Sequence, residues 1–585
     1  MTFTPTGLGA SIQEDRYALE GETWEQSCHR VSAAVAVAEM MRGRSTLPKA
    51  IYNQFYKSIV NGLFSPGGRV WYGAGRQNQA MMNCNVLPVS DSREGWGQLF
   101  YDTTVVSGTG GGIGVNFSKI RGKDYPIKGT GGTASGAVSV MKMQSGLGKG
   151  IVQGGSRRTA LMHSLDINHP DIEEFINVKK DRKQLENANL SLIIPANMPA
   201  EFFVSAVKYG LDIPLQFDGK DDIFGRSINS KSFWEVVSHN AWEGGEPGVL
   251  NSYLANRESN MWYRYPLETT NPCGEQFLPA YGSCCLGALV LPRFVQEGQT
   301  DWKLLARTIH TAVRFLDDVL DVNQFPIQQI ADISAGERRI GLGVMGLHSM
   351  LLDLGIKYSE SHEFVDNLFR FIRDTAYKAS IDLAVEKGSF PFYDERMLAS
   401  GFCRRLPRGI RQLIKAHGIR NCAILTIAPT GTTSMVQGVT SGIEPMFSPV
   451  YFRRVKQGRR KPDKVTLVIS EDYAKHPDLA EGAYDISPRG HFEIQEIAQK
   501  YIDSAVSKTI NLPKDYDPAD LSDLLLEKLP NVKGFTLYRE GSRADEPLEY
   551  VPTHSTAEVI DSWTGDVDNQ GSYSMDNCFD GSCEI

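Results

Sequence analysis

What this 585-residue sequence does not contain narrows what it can be. No apolar run is long enough to cross a bilayer, and the best candidate, Val31–Met41, has the length of a core helix. The opening stretch MTFTPTGLGASIQEDRY carries no basic segment followed by an apolar one, the pattern of a secretory signal, so a cytoplasmic location without membrane contact is expected. Positive charge is not in excess: 61 Lys and Arg stand against 69 Asp and Glu, a net charge of -8. That argues against a broad basic face for nucleic acid but leaves room for a local phosphate site. The nine cysteines (28, 84, 273, 284, 285, 403, 422, 578 and 583) are odd in number and lack zinc-ribbon spacing. A secreted disulfide framework and a structural metal are therefore not expected, and redox-active thiols in a reducing compartment are. The glycine-rich run GTGGGIGVNFSKIRG, Gly108–Gly122, fits neither the dinucleotide fingerprint nor the Walker loop.

What is present is enough apolar residue, 41%, for a large core in several domains or one large α/β unit. Helical spacing recurs at Phe55, Ile59 and Leu63, again at Leu305, Ile309, Val313, Leu316 and Leu320, and over Phe364–Leu383 with Gly388 as its stop. Apolar strands are predicted after Cys84, from Ser191, within Arg338–Leu347 and at Gly534–Leu537. Residues 456–490, charged and proline-containing, read as an exposed excursion.

Three stretches carry chemistry. In ETTNPCGEQFLPAYGSCCLGAL, Glu268–Leu289, the residues Asn271, Cys273 and Glu275 alternate. An extended backbone there, favoured ahead of Pro272, would aim an amide, a thiol and a carboxylate to one side, with Cys284 a short loop away. In Pro429–Ser434, PTGTTS, the hydroxyls of Thr430, Thr432, Thr433 and Ser434 cluster around Gly431 at a probable helix start, a phosphate site or a capping cluster. From Pro552 to Ile585 the chain has no Lys or Arg and ends in CFDGSCEI. Cys578 and Cys583 have no core there to bury them, which suits a carrier of electrons on a mobile tail better than a metal site.

The ordered strings SPGGR, NCNVLPV, GGGIGVNFSKIR, HPDIEEFI, TNPCGEQ, RRIGLGVMG, IAPTGTTS, SGIEP, AVSKTINLP and LYREGSR resemble class II ribonucleotide reductases from Arg16 to Arg543. The resemblance implies a ten-stranded α/β barrel of two parallel five-stranded halves, of the type shared with glycyl-radical enzymes. It would span residues 81–545, carry a finger loop at 268–289, follow a helical region at 1–80 and precede a flexible tail at 546–585. It implies that Cys273 carries a thiyl radical, Glu275 acts as general base and Asn271 binds the ribose, while Cys84 and Cys284 supply the reducing electrons. Cys285 sits where the family often has asparagine, so either Cys284 or Cys285 fits, spacing favouring Cys284. Thr430–Ser434 would hold phosphates, and Gly111 and Gly112 would line the substrate. Asp91, Arg157 and Arg158 would serve a deoxynucleotide or ATP effector. The loop Gly154–Ala160 departs from the family's GGRRRGA in Ser156 and Thr159.

Further absences select the class. Leu537-Tyr538-Arg539 offers no adjacent tyrosine pair for a class I radical relay, and DGSCEI is not a glycyl-radical motif. The implied cofactor is therefore adenosylcobalamin, with a ribonucleoside di- or triphosphate as substrate and a thioredoxin- or glutaredoxin-like reductant. A class I-like large subunit with a separate radical partner is the alternative, and a catalytically dead nucleotide-binding regulator is a third reading. The chain would act as a monomer or homodimer, and it is too short at its start for the helical ATP-cone of many relatives.

Overall fold

Five short strands run parallel as one block: β1 (Cys84–Val86), β2 (Gly112–Asn116), β3 (Leu161–Asp166), β4 (Ala188–Ile194) and β5 (Gly248–Asn251). Helices such as Arg93–Thr109 and Ala137–Gly150 return the chain between them. Covered in this way, the strands are apolar on both faces, as in Leu190, Leu192, Ile193 and Ile194 of β4. The structure is a computed structural model and describes residues 3–41, 48–153, 157–181, 183–455, 464–542 and 548–568.

A second group starts with β6 (Leu286–Val290) and β7 (Gly341–Met345), which are parallel, and the N-terminal strand Phe64–Pro66 lies antiparallel on β6. β8 (Thr509–Leu512) and β9 (Gly534–Arg539) are parallel to each other, and β9 joins β5 antiparallel. With the two-residue strand Ser283–Cys284 on the far edge, antiparallel to β1, the first sheet has eight strands and the second three. The expected closed ring of ten is not formed by the ladders among the described residues. Between β7 and β8 the chain is joined only by single parallel bridges, Leu342 to Leu425 and Ile427 to Val506. One cause is Asp503, whose carboxylate accepts the N–H groups of Ile424 and Leu425, both at 2.9 Å. Those donors are then not available to a neighbouring strand.

Helices Trp24–Met41, Pro48–Val60, Trp302–Val322 and His362–Lys387 pack as one apolar body behind β6 and β7, with Val31, Phe55, Phe315 and Tyr377 buried. The side-chain oxygen of Asp301 caps the third of these through the Leu304 N–H, 2.9 Å, and Gly388, at φ 84°, ends the fourth as predicted. None of the helices among the described residues is long and apolar enough to cross a membrane.

The C-terminal expectation needs correction. Val450–Val455 and Lys464–Ile469 form a hairpin, joined on one edge by Leu548–Tyr550 and on the other by Asp566–Asp568. Trp563 packs tilted against Phe452 with centroids 4.9 Å apart, and Arg453 pairs with Asp568 at 3.0 Å. The stretch 548–568, taken as part of a flexible tail, is thus fixed by a sheet partner that lies far back in the sequence. The excursion at 456–490 likewise carries a strand with Leu467 and Val468 fully buried. Cys578 and Cys583 lie outside the described residues.

Candidate active site

The finger is a β-hairpin, Thr269–Thr270 against Phe277–Leu278, and its six-residue turn is Asn271–Gln276. The extended backbone expected here is absent. Asn271 N–H donates to the Gln276 carbonyl at 3.2 Å, Gly274 N–H to the Asn271 carbonyl at 3.0 Å, and Gln276 N–H to Asn271 Oδ1 at 3.0 Å. Gly274 turns the chain at φ 79°. It is this closed turn that sets the three side chains: Asn271 and Glu275 are fully buried, and Cys273 is half-buried.

The finger lies directly across β2, and two glycines there make room for it. A Cβ on Gly114 would sit 1.9 Å from the Thr270 carbonyl oxygen. A Cβ on Gly112 would meet Pro272 Cγ at 2.9 Å and Cys84 Sγ at 3.0 Å, so this glycine separates the finger tip from the first thiol. Gly111 is buried against the Asn85 side chain.

Cys84 and Cys284 are register partners on adjacent antiparallel strands, both fully buried and both free thiols. Burial, then the contact with Cys84, then the nearby charge of Glu275, push the Cys284 pKa well above the usual thiol range. Cys285, between the strands Ser283–Cys284 and Leu286–Val290, points elsewhere. Its thiol faces the Leu316 carbonyl at 3.7 Å inside the helical core. The geometry therefore pairs Cys84 with Cys284 and leaves Cys285 as a packing residue.

Thr430 takes the left-handed conformation, φ 60°, at the start of the helix Gly431–Gln437, and its Oγ1 accepts the Gly442 N–H at 2.9 Å. Thr433 and Ser434 donate their hydroxyls to the carbonyls of Thr430 and Gly431, at 3.1 and 2.9 Å, and Thr432 bonds the Tyr17 hydroxyl. These hydroxyls thus have partners within the protein. Asp91 is ion-paired with Arg121 at 2.7 Å, and its carboxylate also accepts the Arg121 N–H. For Arg157 and Arg158 only the backbone is described, a two-residue strand against Val152–Gln153.

The family model described as the ribonucleotide reductase barrel domain matches residues 82–536, and that of the all-alpha domain matches residues 3–79. The chain belongs to the ribonucleotide reductase family. Similar proteins include the vitamin B12-dependent ribonucleoside-diphosphate reductase of Thermoplasma acidophilum, 34% identical over 540 residues, 87% of this chain and 67% of that one. The protein of the same name from Mycobacterium tuberculosis is 33% identical over 561 residues, 91% of this chain and 76% of its own length. The ribonucleoside-diphosphate reductase subunit alpha of Chlamydia muridarum is 26% identical over 576 residues, 84% of this chain and 54% of that one.

Sequence reasoning missed the residues that hold this reductase's finger in place. Asn189 Nδ2 donates to the Pro272 carbonyl at 3.0 Å, and Thr426 Oγ1 to the Glu275 carbonyl at 2.6 Å. Both act on backbone atoms, so no side-chain pattern along the chain announces them. The buried amide of Gln276, the last residue of the turn, carries no such signal either.

Proposed function

We propose that the chain reduces ribonucleoside diphosphates to 2′-deoxyribonucleoside diphosphates through a cysteine thiyl radical, with adenosylcobalamin as cofactor. The observation that carries this reading is the reduced, buried pair Cys84–Cys284 facing the turn that holds Asn271, Cys273 and Glu275. The relatives named for vitamin B12 and for diphosphates, at 33–34% identity over most of the chain, support both choices.

The site suits such a cofactor on the side of Cys273. That thiol alone among the three turn residues is half-exposed, and beside it a Cβ on Gly274 would meet nothing within 4 Å. Cys273 and Gly274 would thus border the cofactor, which when bound supplies the one-electron chemistry that converts the Cys273 thiol to its radical. The other steps belong to the protein's own residues. Cys273 takes the ribose 3′-hydrogen and returns it at the end. Glu275 accepts the 3′-hydroxyl proton, and the Asn271 amide, whose Nδ2 has no partner among the described residues, donates to a ribose hydroxyl. Because burial keeps the Cys284 thiol protonated, the Cys84–Cys284 pair can give two electrons and two protons. The 2′-hydroxyl leaves as water, a hydrogen takes its place, and the two sulfurs join as a disulfide. Finger and strands together keep water from the radical.

The same reading treats the two sheets as one ten-strand barrel, five parallel strands in each half, with 422–427 as a strand of the second half. It divides the chain into a helical region, a catalytic barrel and a C-terminal redox segment. Thr430–Ser434 holds the diphosphate through backbone N–H groups, with the hydroxyls turning outward on binding. Gly111 and Gly112 line the sugar, and Asp91, Arg157 and Arg158 serve an effector nucleotide. Cys578 and Cys583 pass electrons from a thioredoxin- or glutaredoxin-like protein to the buried disulfide.

The test is anaerobic turnover of the purified chain with adenosylcobalamin, a dithiol and a ribonucleoside diphosphate. Deoxynucleotide should form, and Cys273→Ser should bind substrate yet form none, because an alcohol O–H is too strong to yield its hydrogen. Activity that appears only when a second, metal-containing subunit is added would overturn the cobalamin assignment.

A further inference from the structure

We propose that Asn189 and Thr426 are a pair of positioning residues that pin the finger turn from opposite halves of the sheet system and so set where Cys273 and Glu275 stand. The proposal rests on the reading of those two residues given above, and adds what aims them.

The turn Asn271–Gln276 is closed on itself by its three internal hydrogen bonds, so it moves as one body. Such a body is aimed by its outside attachments. Two of its backbone carbonyls accept bonds from other parts of the chain. On one side Asn189, on β4, donates its amide to the Pro272 carbonyl, 3.0 Å. On the other, Thr426 donates its hydroxyl to the Glu275 carbonyl at 2.6 Å, and the Ala505 N–H reaches the same oxygen at 2.9 Å. The acceptors immediately precede Cys273 and belong to Glu275 itself, so the pair brackets the two reacting residues.

Thr426 is itself firmly held. Its N–H donates to the Leu342 carbonyl at 3.1 Å, and the two residues before it are fixed by Asp503 through the Ile424 and Leu425 N–H groups. Asp503 also accepts the Tyr377 hydroxyl at 2.8 Å. A Cβ on Gly341 would lie 2.8 Å from Thr426 Cγ2 and 2.5 Å from Gln276 Nε2, so this glycine leaves room for both the Thr426 side chain and the end of the turn. On the other side Asn189 sits within the β3–β4 ladder opposite Met162. The geometry needed for hydrogen-atom and proton transfer tolerates little displacement, and a shift of about 1 Å can cost on the order of 10²-fold in rate.

Thr426→Val keeps the shape and leaves the Glu275 carbonyl its Ala505 donor, so the fold is retained while one pin is lost. Expected results are a drop in kcat of about 10- to 100-fold for Thr426→Val and for Asn189→Ala, with KM within about threefold. Thr426→Ser, which keeps the hydroxyl, should return to within about threefold of the parent. The melting temperatures of all three should match the parent's. A second readout needs no turnover: alkylation of Cys273 by iodoacetamide, followed on its own peptide by mass spectrometry, should change rate in Thr426→Val and Asn189→Ala and not in Thr426→Ser. Parental kcat and alkylation rate in the Asn189→Ala/Thr426→Val double variant would overturn the proposal, as would a Thr426→Ser variant as impaired as Thr426→Val. Turnover by Cys273→Ser or Glu275→Gln would instead overturn the roles of those residues, and the alkylation rates would still decide the pinning.

Discussion

Two buried polar regions of this reductase are built on opposite rules. Around Asp317, at the foot of the helix Trp302–Val322, carboxyls face cations, although Glu39 Oε2 and Asp318 Oδ2 have no bond of their own among the described residues. Burial, with Glu39 and Asp317 nearby, raises the Asp318 carboxyl well above its usual range. Asp317 faces Arg338 at 2.8 Å and Arg420 at 3.1 Å, Asp321 faces Arg338 at 2.8 Å, Asp318 faces Lys387 at 2.6 Å, and Glu39 faces Arg314 and Lys387, both at 2.8 Å. The grouping of Asp317, Asp318 and Asp321 could suggest a cation, yet the arginines and lysine already supply the positive charge. At the finger, Asn271 Nδ2, Thr270 Oγ1 and both polar atoms of Gln276 are fully buried and have no partner among the described residues. Leaving such groups unmatched costs about 1–3 kcal/mol each unless water, an ion or a ligand meets them. The first region holds the helices together, and under the proposed function the second would receive the substrate.

If that contrast is right, damage should separate cleanly into lost chemistry and lost stability. The largest effect is expected at the thiols: Cys84→Ser or Cys284→Ser should cut multiple turnover on the order of 10⁴-fold, with an unchanged urea midpoint. Arg338→Met should do the reverse. Leaving Asp317 and Asp321 short of a partner should cost about 3–5 kcal/mol in urea unfolding, while the folded fraction keeps its turnover. A smaller effect concerns acid. Burial works against ionising Glu39, but bonds from Lys387, with further ones from Arg314, outweigh it and hold the carboxyl at about 2. Burial is likewise outweighed at Asp317 by Arg338 and Arg420, which keep it far below the ordinary range. A depressed folded pKa gives stability that is complete above the unfolded value and is lost as pH falls. Unfolding free energy should therefore decline from about pH 4.5 towards pH 2, and Glu39→Gln should flatten that slope. The smallest effect belongs to Cys285→Ala, which should lose about 1–2 kcal/mol by leaving a small cavity and retain parental kcat. Loss of turnover in Cys285→Ala with normal folding would erase the distinction drawn between the neighbouring cysteines.

The sequence foretold the elements whose cause is local. Helix Trp302–Val322 follows from its spaced apolar residues and the stop of His362–Lys387 from Gly388. Motif order likewise groups Cys84, Cys284 and Cys273. What failed depended on distant partners. The strand Asp566–Asp568 exists because Lys464–Ile469 lies beside it, about a hundred residues earlier, and an acidic composition gives no hint of that. The turn at Asn271–Gln276 was mistaken for extended chain because alternation was read without the Gly274 reversal and the bond from Gln276 N–H to the Asn271 side chain. The Thr430–Ser434 hydroxyls, which the sequence leaves open between a phosphate site and a capping cluster, each find a partner across space or one turn back.

The small sheet that takes up Asp566–Asp568 has a consequence for reach. It moors the chain only ten positions before Cys578, where a tail loose from residue 546 would have had thirty-two. Ten residues extend at most about 35 Å, so under the proposed electron-carrying role Cys578 works on a short leash centred on Asp568. That mooring rests on the Trp563–Phe452 contact and the Arg453–Asp568 pair, so under the proposed role the rate of re-reduction would be set in part by residues far from Cys84 and Cys284 in the sequence.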